Sequence, residues 1–232
     1  MKALRVLFPF VFSMLLFTAL QAQFGVKGSY LTSQADQWEY DGPFGSERIE
    51  LLGSGWQLGV DYWFRLKNTR IEFLPTLAFS LQEQSIGSEP STLETQVQGL
   101  HFFFNTNIYF LDLSGDCDCP TFSKQGPTLQ KGLFLQISPG YSLFNFEIDE
   151  GAGGLTFDGN SGAFSIGAGL GFDLGFSDLF TLSPMASLRY YPTVTWDELT
   201  DTGIISFPPE VEEESTVINY ELGLRLGFRL DN

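Results

Sequence analysis

INYELGLRLGFRLDN, residues 218–232, ends the chain in strict alternation. Ile218, Tyr220, Leu222, Leu224, Leu226, Phe228 and Leu230 fall on one parity. Asn219, Glu221, Gly223, Arg225, Gly227 and Arg229 fall on the other. A period of two is the mark of a strand, whose successive side chains point to opposite faces. Two placements produce it. Either the apolar row lines a core with the polar row in water, or the apolar row meets lipid and the charges point into a closed barrel.

The same pattern recurs in eight segments, near 24–31, 54–66, 70–82, 95–111, 131–144, 161–176, 180–192 and 216–230. Trp56, Leu58, Val60, Tyr62, Phe64 and Leu66 oppose Gln57, Gly59, Asp61, Trp63 and Arg65. Phe164, Ile166, Ala168, Leu170, Phe172 and Leu174 oppose Ser165, three glycines, Asp173 and Gly175. Several segments are long for soluble strands and suit tilted strands crossing a bilayer. Lys27, Asp61, Arg65, Arg70, Glu72, Asp173, Arg189, Glu221, Arg225 and Arg229 all take the polar parity. An Arg or Lys facing mid-membrane lipid costs about 2–4 kcal/mol, which explains their exclusion from the apolar row.

A soluble eight-stranded barrel around an apolar cavity would alternate in the same way with inside and outside exchanged. Its water-facing row would carry many Lys and Glu, whereas this row is mostly Gly, Ser, Asn and Gln. The expected fold is therefore all-β, an eight-stranded antiparallel transmembrane up-and-down β-barrel.

Composition narrows the class further. A net charge of −16 over 232 residues repels phosphate and excludes nucleic acid as a partner. Lys2 and Arg5 precede VLFPFVFSMLLFTAL, which ends in QAQ. This reads as an export signal over residues 1–22, cut after Ala22, leaving a barrel domain over residues 23–232. No Cys follows it to carry an N-terminal lipid anchor.

Connections at 32–53, 83–94, 145–160 and 193–215 read as long outer loops, with short turns near Lys67-Asn68-Thr69 and Gly175–Asp178. Long outside loops and short inside turns place both termini in the periplasm. Residues 112–130 break the rule with a long inner connection holding Cys117 and Cys119. Two sulfurs with Asp116 and Asp118 make a weak metal site, and a structural role is expected.

The outer loops hold nineteen of the 28 carboxylates, including Asp36, Glu83, Glu89, Glu94, Glu147, Asp149 and the run Glu212, Glu213, Glu214. Arg48 is their only basic residue. Such density attracts cations, so divalent ions bridging to anionic lipopolysaccharide are conceivable partners, beside a simpler hydrating role. Trp38, Trp56 and Trp196 read as interfacial girdle residues, and Trp63 as an interior ring.

His101 is the only histidine. With Ser80 or Ser138 and Glu72 it supplies the residue types of an acyl hydrolase, but no spacing selects them, so a hydrogen-bonded interior residue is expected. GAGLGFDLG lies within a strand with no helix behind it, so it is no phosphate loop. An eight-stranded barrel is filled by its own side chains, and Trp63, Tyr109 and the arginines block a pore. No catalytic, cofactor or metal residue is assigned; the expected role is structural, adhesive or in assembly, with a small channel, a secretion accessory or a lipid hydrolase as alternatives.

The stretches LFLQISPGYSLF at 133–144, GAFSIGAGLGFDLGF at 162–176 and YELGLRLGF at 220–228 resemble the outer-membrane β-barrel domain family of Bacteroidetes-type bacteria. They resemble OmpA- and OmpX-like barrels more distantly, and the likeness spans the whole mature chain. It implies a closing aromatic, matched by Phe228, that barrel-insertion machinery reads. Some relatives, the PorT-like proteins, assist secretion. Lipid A deacylases place a Ser–His pair on a similar barrel, with no matching constellation here.

Overall fold

Lipid offers no hydrogen bonds, so strands that alternate lipid-facing and interior residues must pair on both edges, and only a closed ring leaves no edge. The computed structural model describes residues 23–41, 48–66, 69–88, 91–111, 132–150, 156–176, 179–197, 199 and 212–229. Residues 1–22, Cys117 and Cys119 lie outside them.

The elements are β1 (Gln23–Ala35), β2 (Glu39–Asp41), β3 (Arg48–Glu50), β4 (Ser54–Tyr62), β5 (Phe64–Arg65) and β6 (Ile71–Ser88). They continue with β7 (Ser91–Ile108), β8 (Leu133–Glu150), β9 (Thr156–Phe172), β10 (Leu174–Gly175), β11 (Phe180–Thr195) and β12 (Glu214–Arg229). β5 prolongs β4 beyond Trp63 and β10 prolongs β9 beyond Asp173, so ten elements make eight staves. Each stave pairs antiparallel with its neighbours in the chain, and β12 closes the ring on β1 from Gln23–Arg229 to Ala35–Val217. β2 and β3 form a separate small hairpin.

Following paired residues once round, from Gly25 through Asp61, Thr76, Phe103 and Gly140 to Ser165, then Tyr191, Val217 and back to β1, arrives at Ala35. (The Ser165–Tyr191 step continues the Ile166–Tyr190 ladder by one residue.) The stagger is ten residues, Gly25 to Ala35, which tilts the strands by about 40°. An 18-residue strand such as β6 then rises about 45 Å, far more than the apolar band of about 25 Å that such barrels present to lipid.

That surplus corrects the expected loops. Residues 83–94 and 145–160 are mostly strand: Ser88 faces Ser91, and Asp149 faces Thr156. The barrel wall therefore continues well above the lipid-facing band on β6, β7, β8 and β9.

The reason lies in an inversion of polarity along the wall, clearest on β8. On β8, Leu135, Ile137, Tyr141 and Leu143 point outward and are exposed, while Gln136, Ser138 and Ser142 are buried inside. Two residues later the rows exchange character without a register slip. Asn145, Glu147 and Asp149 face out, and Phe144, Phe146 and Ile148 are buried within. Elsewhere the outward row passes from Tyr30 to Thr32, from Trp56 to Ser54, and from Leu100 to Gln98, Gln96 and Glu94. Ala35, Val97, Ala163, Tyr191, Val194 and Val217 join the buried apolar cluster at the same level.

Both placements that the closing stretch allowed are thus present, at different heights. The lower barrel is oily outside and polar inside, as a bilayer requires. The upper barrel is polar outside and oily inside, as water requires. The transmembrane part ends where the rows exchange. Tyr30, Trp56, Tyr190 and Tyr220 sit at or just below that level, where amphipathic rings favour the interface. At the opposite rim Phe228 stacks on Phe24 and meets Phe180 edge to face.

Candidate functional site

Inside the lower barrel the charges predicted for the interior are gathered in layers. Lys27, Asp61, Arg70, Glu72, Asp173, Arg189 and Glu221 are all buried, and the Arg225 side chain nearly so. Nothing is described for the side chains of Arg65 and Arg229. Nearest the lower rim, Tyr109 Oη lies 3.0 Å from Glu72 Oε2 and 2.6 Å from Asp173 Oδ2. The Arg70 guanidinium sits over the Tyr109 ring, 4.5 Å from its centre, and Ser183 donates to Asp173. Above it Arg225 grips Asp61 with two hydrogen bonds, Nε at 2.7 Å and Nη2 at 2.5 Å. This fork matches carboxylate geometry and fixes both side chains across the lumen.

The middle layer is Lys27, Glu221 and Arg189. Lys27 Nζ donates to Glu221 at 2.8 Å, and Arg189 Nε lies 3.8 Å from the same carboxylate. Arg189 lies flat on Phe103, 3.5 Å from the ring centre, and donates to Ser138 and Ser165. Phe103 has interior parity yet no sequence signal set it apart; it is the cation–π partner that lets a guanidinium stay buried. Gly167 and Gly171 make room, since a Cβ at Gly167 would come 3.2 Å from the Arg189 Nη2, and one at Gly171 would collide with the Phe134 ring. Interior crowding thus accounts for this glycine run, as its parity implied.

His101 occupies the next layer. Its Nε2 shares a 2.8 Å hydrogen bond with Ser80, and its Nδ1 shares another of 2.8 Å with Ser142, which contacts Tyr191 Oη at 3.1 Å. Of the hydrolase candidates the structure joins only Ser80 to His101. Ser138 is committed to Arg189, and Glu72 lies layers below beside Tyr109. Ser80, His101 and Ser142 are buried, and the His101 ring is stacked on Phe103 and meets Phe144 edge-on. The imidazole satisfies both nitrogens with hydroxyls, which is what a buried ring needs.

Above His101 the lumen turns apolar and closes. Ser33, Gln82 and Asn219 form the last polar layer. Trp38, Phe144, Phe146, Val194 and Val217 cover it, leaving a space of about 10 Å³, at the lower limit for a single water. The girdle expectation for Trp38 and Trp196 is corrected here. Both are only 1% exposed, packed edge to face at 5.4 Å inside the mouth, whereas Trp56 is 42% exposed on the lipid face. Trp196 stacks on Phe146 at 4.5 Å, and Trp38 Nε1 donates to the Glu212 carbonyl. Leu51, Leu52 and Leu199 join the cluster, so segments after β1 and β11 fold inward as a plug. Trp63 is interior, as its parity predicted.

Outside the upper wall, the carboxylates read as loop residues stand on strands. Glu83, Glu94, Glu147 and Asp149 surround a concavity of about 210 Å³ with Ser85 and Gln96. Glu94 faces Asp149 directly across β7 and β8. Like charges opposite each other oppose pairing, so this face carries an electrostatic cost. Among the described residues no three His, Cys, Asp or Glu side chains gather to hold a metal ion.

No protein-family model matches the chain, and no curated relative matches it. Its likeness is to solved barrels. Neisserial surface protein A has 10% identity and a TM-score of 0.46, covering 90% of this chain and 96% of its own. Ail, the attachment invasion locus protein of Yersinia pestis, has 12% identity and a TM-score of 0.46, covering 90% and 99%. The N-terminal β-barrel domain of Pseudomonas aeruginosa OprF has 15% identity and a TM-score of 0.34, covering 90% and 100%. The chain is an eight-stranded antiparallel β-barrel with an apolar outer belt.

Proposed function

We propose that this barrel is a non-conducting, non-enzymatic outer-membrane protein that works through its water-facing upper wall, in adhesion or envelope assembly. The observation that carries this reading is the inverted upper barrel, whose apolar core fills the lumen and stiffens a platform above the lipid. Both termini and the lower turns then face the periplasm, and β6 to β9 rise outward from the cell. Among the described residues, a lumen crossed by paired charges and capped by Trp38 and Trp196 leaves no water path, which supports a role other than permeation. Among the described residues, the buried Ser80–His101 pair has no opening to a substrate, which supports a role other than hydrolysis.

The platform offers partners an acidic exterior. Glu83, Glu94, Glu147 and Asp149 repel one another, and divalent ions or a basic surface would relieve that repulsion. Divalent ions would also join this wall to anionic lipopolysaccharide. The sequence resemblance to PorT-like proteins would make secretion another assembly role, with no residue that selects it. The test is a deletion strain complemented with the wild-type gene or with the E83Q/E94Q/E147Q/D149N variant. Adhesion or envelope integrity restored by wild type and lost in the variant supports the reading. Full rescue by the variant removes the acidic wall from it, and ion current from purified protein in planar bilayers overturns the closed lumen.

A further inference from the structure

The lipid-facing surface is not evenly ridged. Across β8, β9, β11, β12 and β1 it dips into an open groove of about 710 Å³. The cause is local: Gly28, Pro184 and Ala186 are small residues at outward positions, so backbone forms the floor. Leu170, Leu222 and Leu224 stand beside them as walls and are more than half exposed.

The ladder fixes how the groove runs. Leu133 faces Phe172, Gly171 faces Met185, Met185 faces Gly223, and Gly223 faces Ser29. That line crosses four strand spacings of about 4.8 Å, roughly 19 Å in all. Because the strands tilt, the line climbs from Leu133, where β8 begins near the lower rim, to Tyr30 just below the change to water-facing Thr32. It is continuous with the lipid-facing belt, so hydrocarbon is what meets it. Its length exceeds half of a hydrocarbon core of about 30 Å, which suits one long chain lying obliquely.

The fold does not need the groove empty. At Gly162, another outward glycine, a Cβ would collide with the Tyr141 hydroxyl, because that side chain covers the gap. At Gly28 a Cβ would meet Leu58 Cδ2 at an ordinary 3.5 Å, and the space stays open. A protein-filled gap and an unfilled one thus lie on the same face.

We infer that this groove seats one saturated acyl chain of a membrane phospholipid, its head at the lower rim near Leu133 and its tail rising over Pro184 and Ala186 toward Tyr30. Native mass spectrometry of the full chain in detergent micelles with dipalmitoyl phosphatidylethanolamine tests it. The variants are G28L/A186F and A186F, which fill the groove, and A168F, outward-facing but outside it. Heat-dependent gel mobility verifies that each has folded, and A186F stands in should the double variant fail. Wild type and A168F are expected to retain one lipid. A filled groove removes the surface the chain packs against, and retention is expected to fall about tenfold or more in the filled variants. Equal retention in all four proteins overturns the inference. So does a two-copy species that the filled variants abolish, because the occupant would then be a second barrel.

Discussion

Strand β8 allows the polarity inversion to be tested by one substitution made twice. Ile137 and Asn145 share a strand and an outward face, eight residues apart. At about 3.3 Å per residue and a tilt of about 40°, Asn145 stands about 20 Å above Ile137. Ile137 is exposed in the middle of the apolar belt, so Ile137→Arg puts a guanidinium into hydrocarbon at a cost of about 2–4 kcal/mol. Asn145 lies above the belt among Glu147 and Asp149, where Asn145→Arg should stay within about 0.5 kcal/mol. The inward face gives the mirror image, since Phe146 belongs to the buried cluster and Phe146→Ala should cost about 3–5 kcal/mol. Urea titration of the protein folded into phospholipid vesicles measures all three. Equal losses for the two arginine variants would refute the inversion, as would a neutral Phe146→Ala.

Other consequences concern the interior. Breaking the Arg225–Asp61 fork by Asp61→Ala leaves a nearly buried guanidinium unpaired and should cost about 3–5 kcal/mol, while D61L/R225M should recover most of that, read by the same titration. Replacing His101 by Ala should lower stability, because Ser80 and Ser142 lose their shared partner, and should leave lipid hydrolysis at background in a fatty-acid release assay. Tail-brominated lipids should quench Trp56 and spare Trp38, Trp63 and Trp196; a Trp56→Phe protein that still shows strong quenching would contradict the plug.

The closing stretch made the membrane barrel legible because one parity of β12 holds no charge from Tyr220 to Phe228 and Glu221 and Arg225 hold the other. The buried charges were legible for the same reason, though their partners were not: Lys27 meets Glu221 across 194 residues, a distance no spacing rule covers. The upper wall was hidden by an exchange of phase. FNFEID, residues 144–149, alternates as cleanly as the belt below it, but its apolar row is Phe144, Phe146 and Ile148. Read with one fixed parity it looks like a broken strand, hence a loop. An alternation that changes phase with no inserted residue is the signal that would have found it. Trp38 and Trp196 gave no such sign, because their burial depends on the chain folding back into the mouth.

The fold turns on the level at which oil and water exchange sides. Spin labels placed singly at positions 135, 137, 143, 145, 147 and 149, with Cys117 and Cys119 replaced by Ser, report it through contact with oxygen against a water-soluble nickel complex. Oxygen contact should dominate through position 143 and nickel contact from position 145 onward. Oxygen dominance persisting to position 149, or nickel dominance already at position 137, would contradict the account.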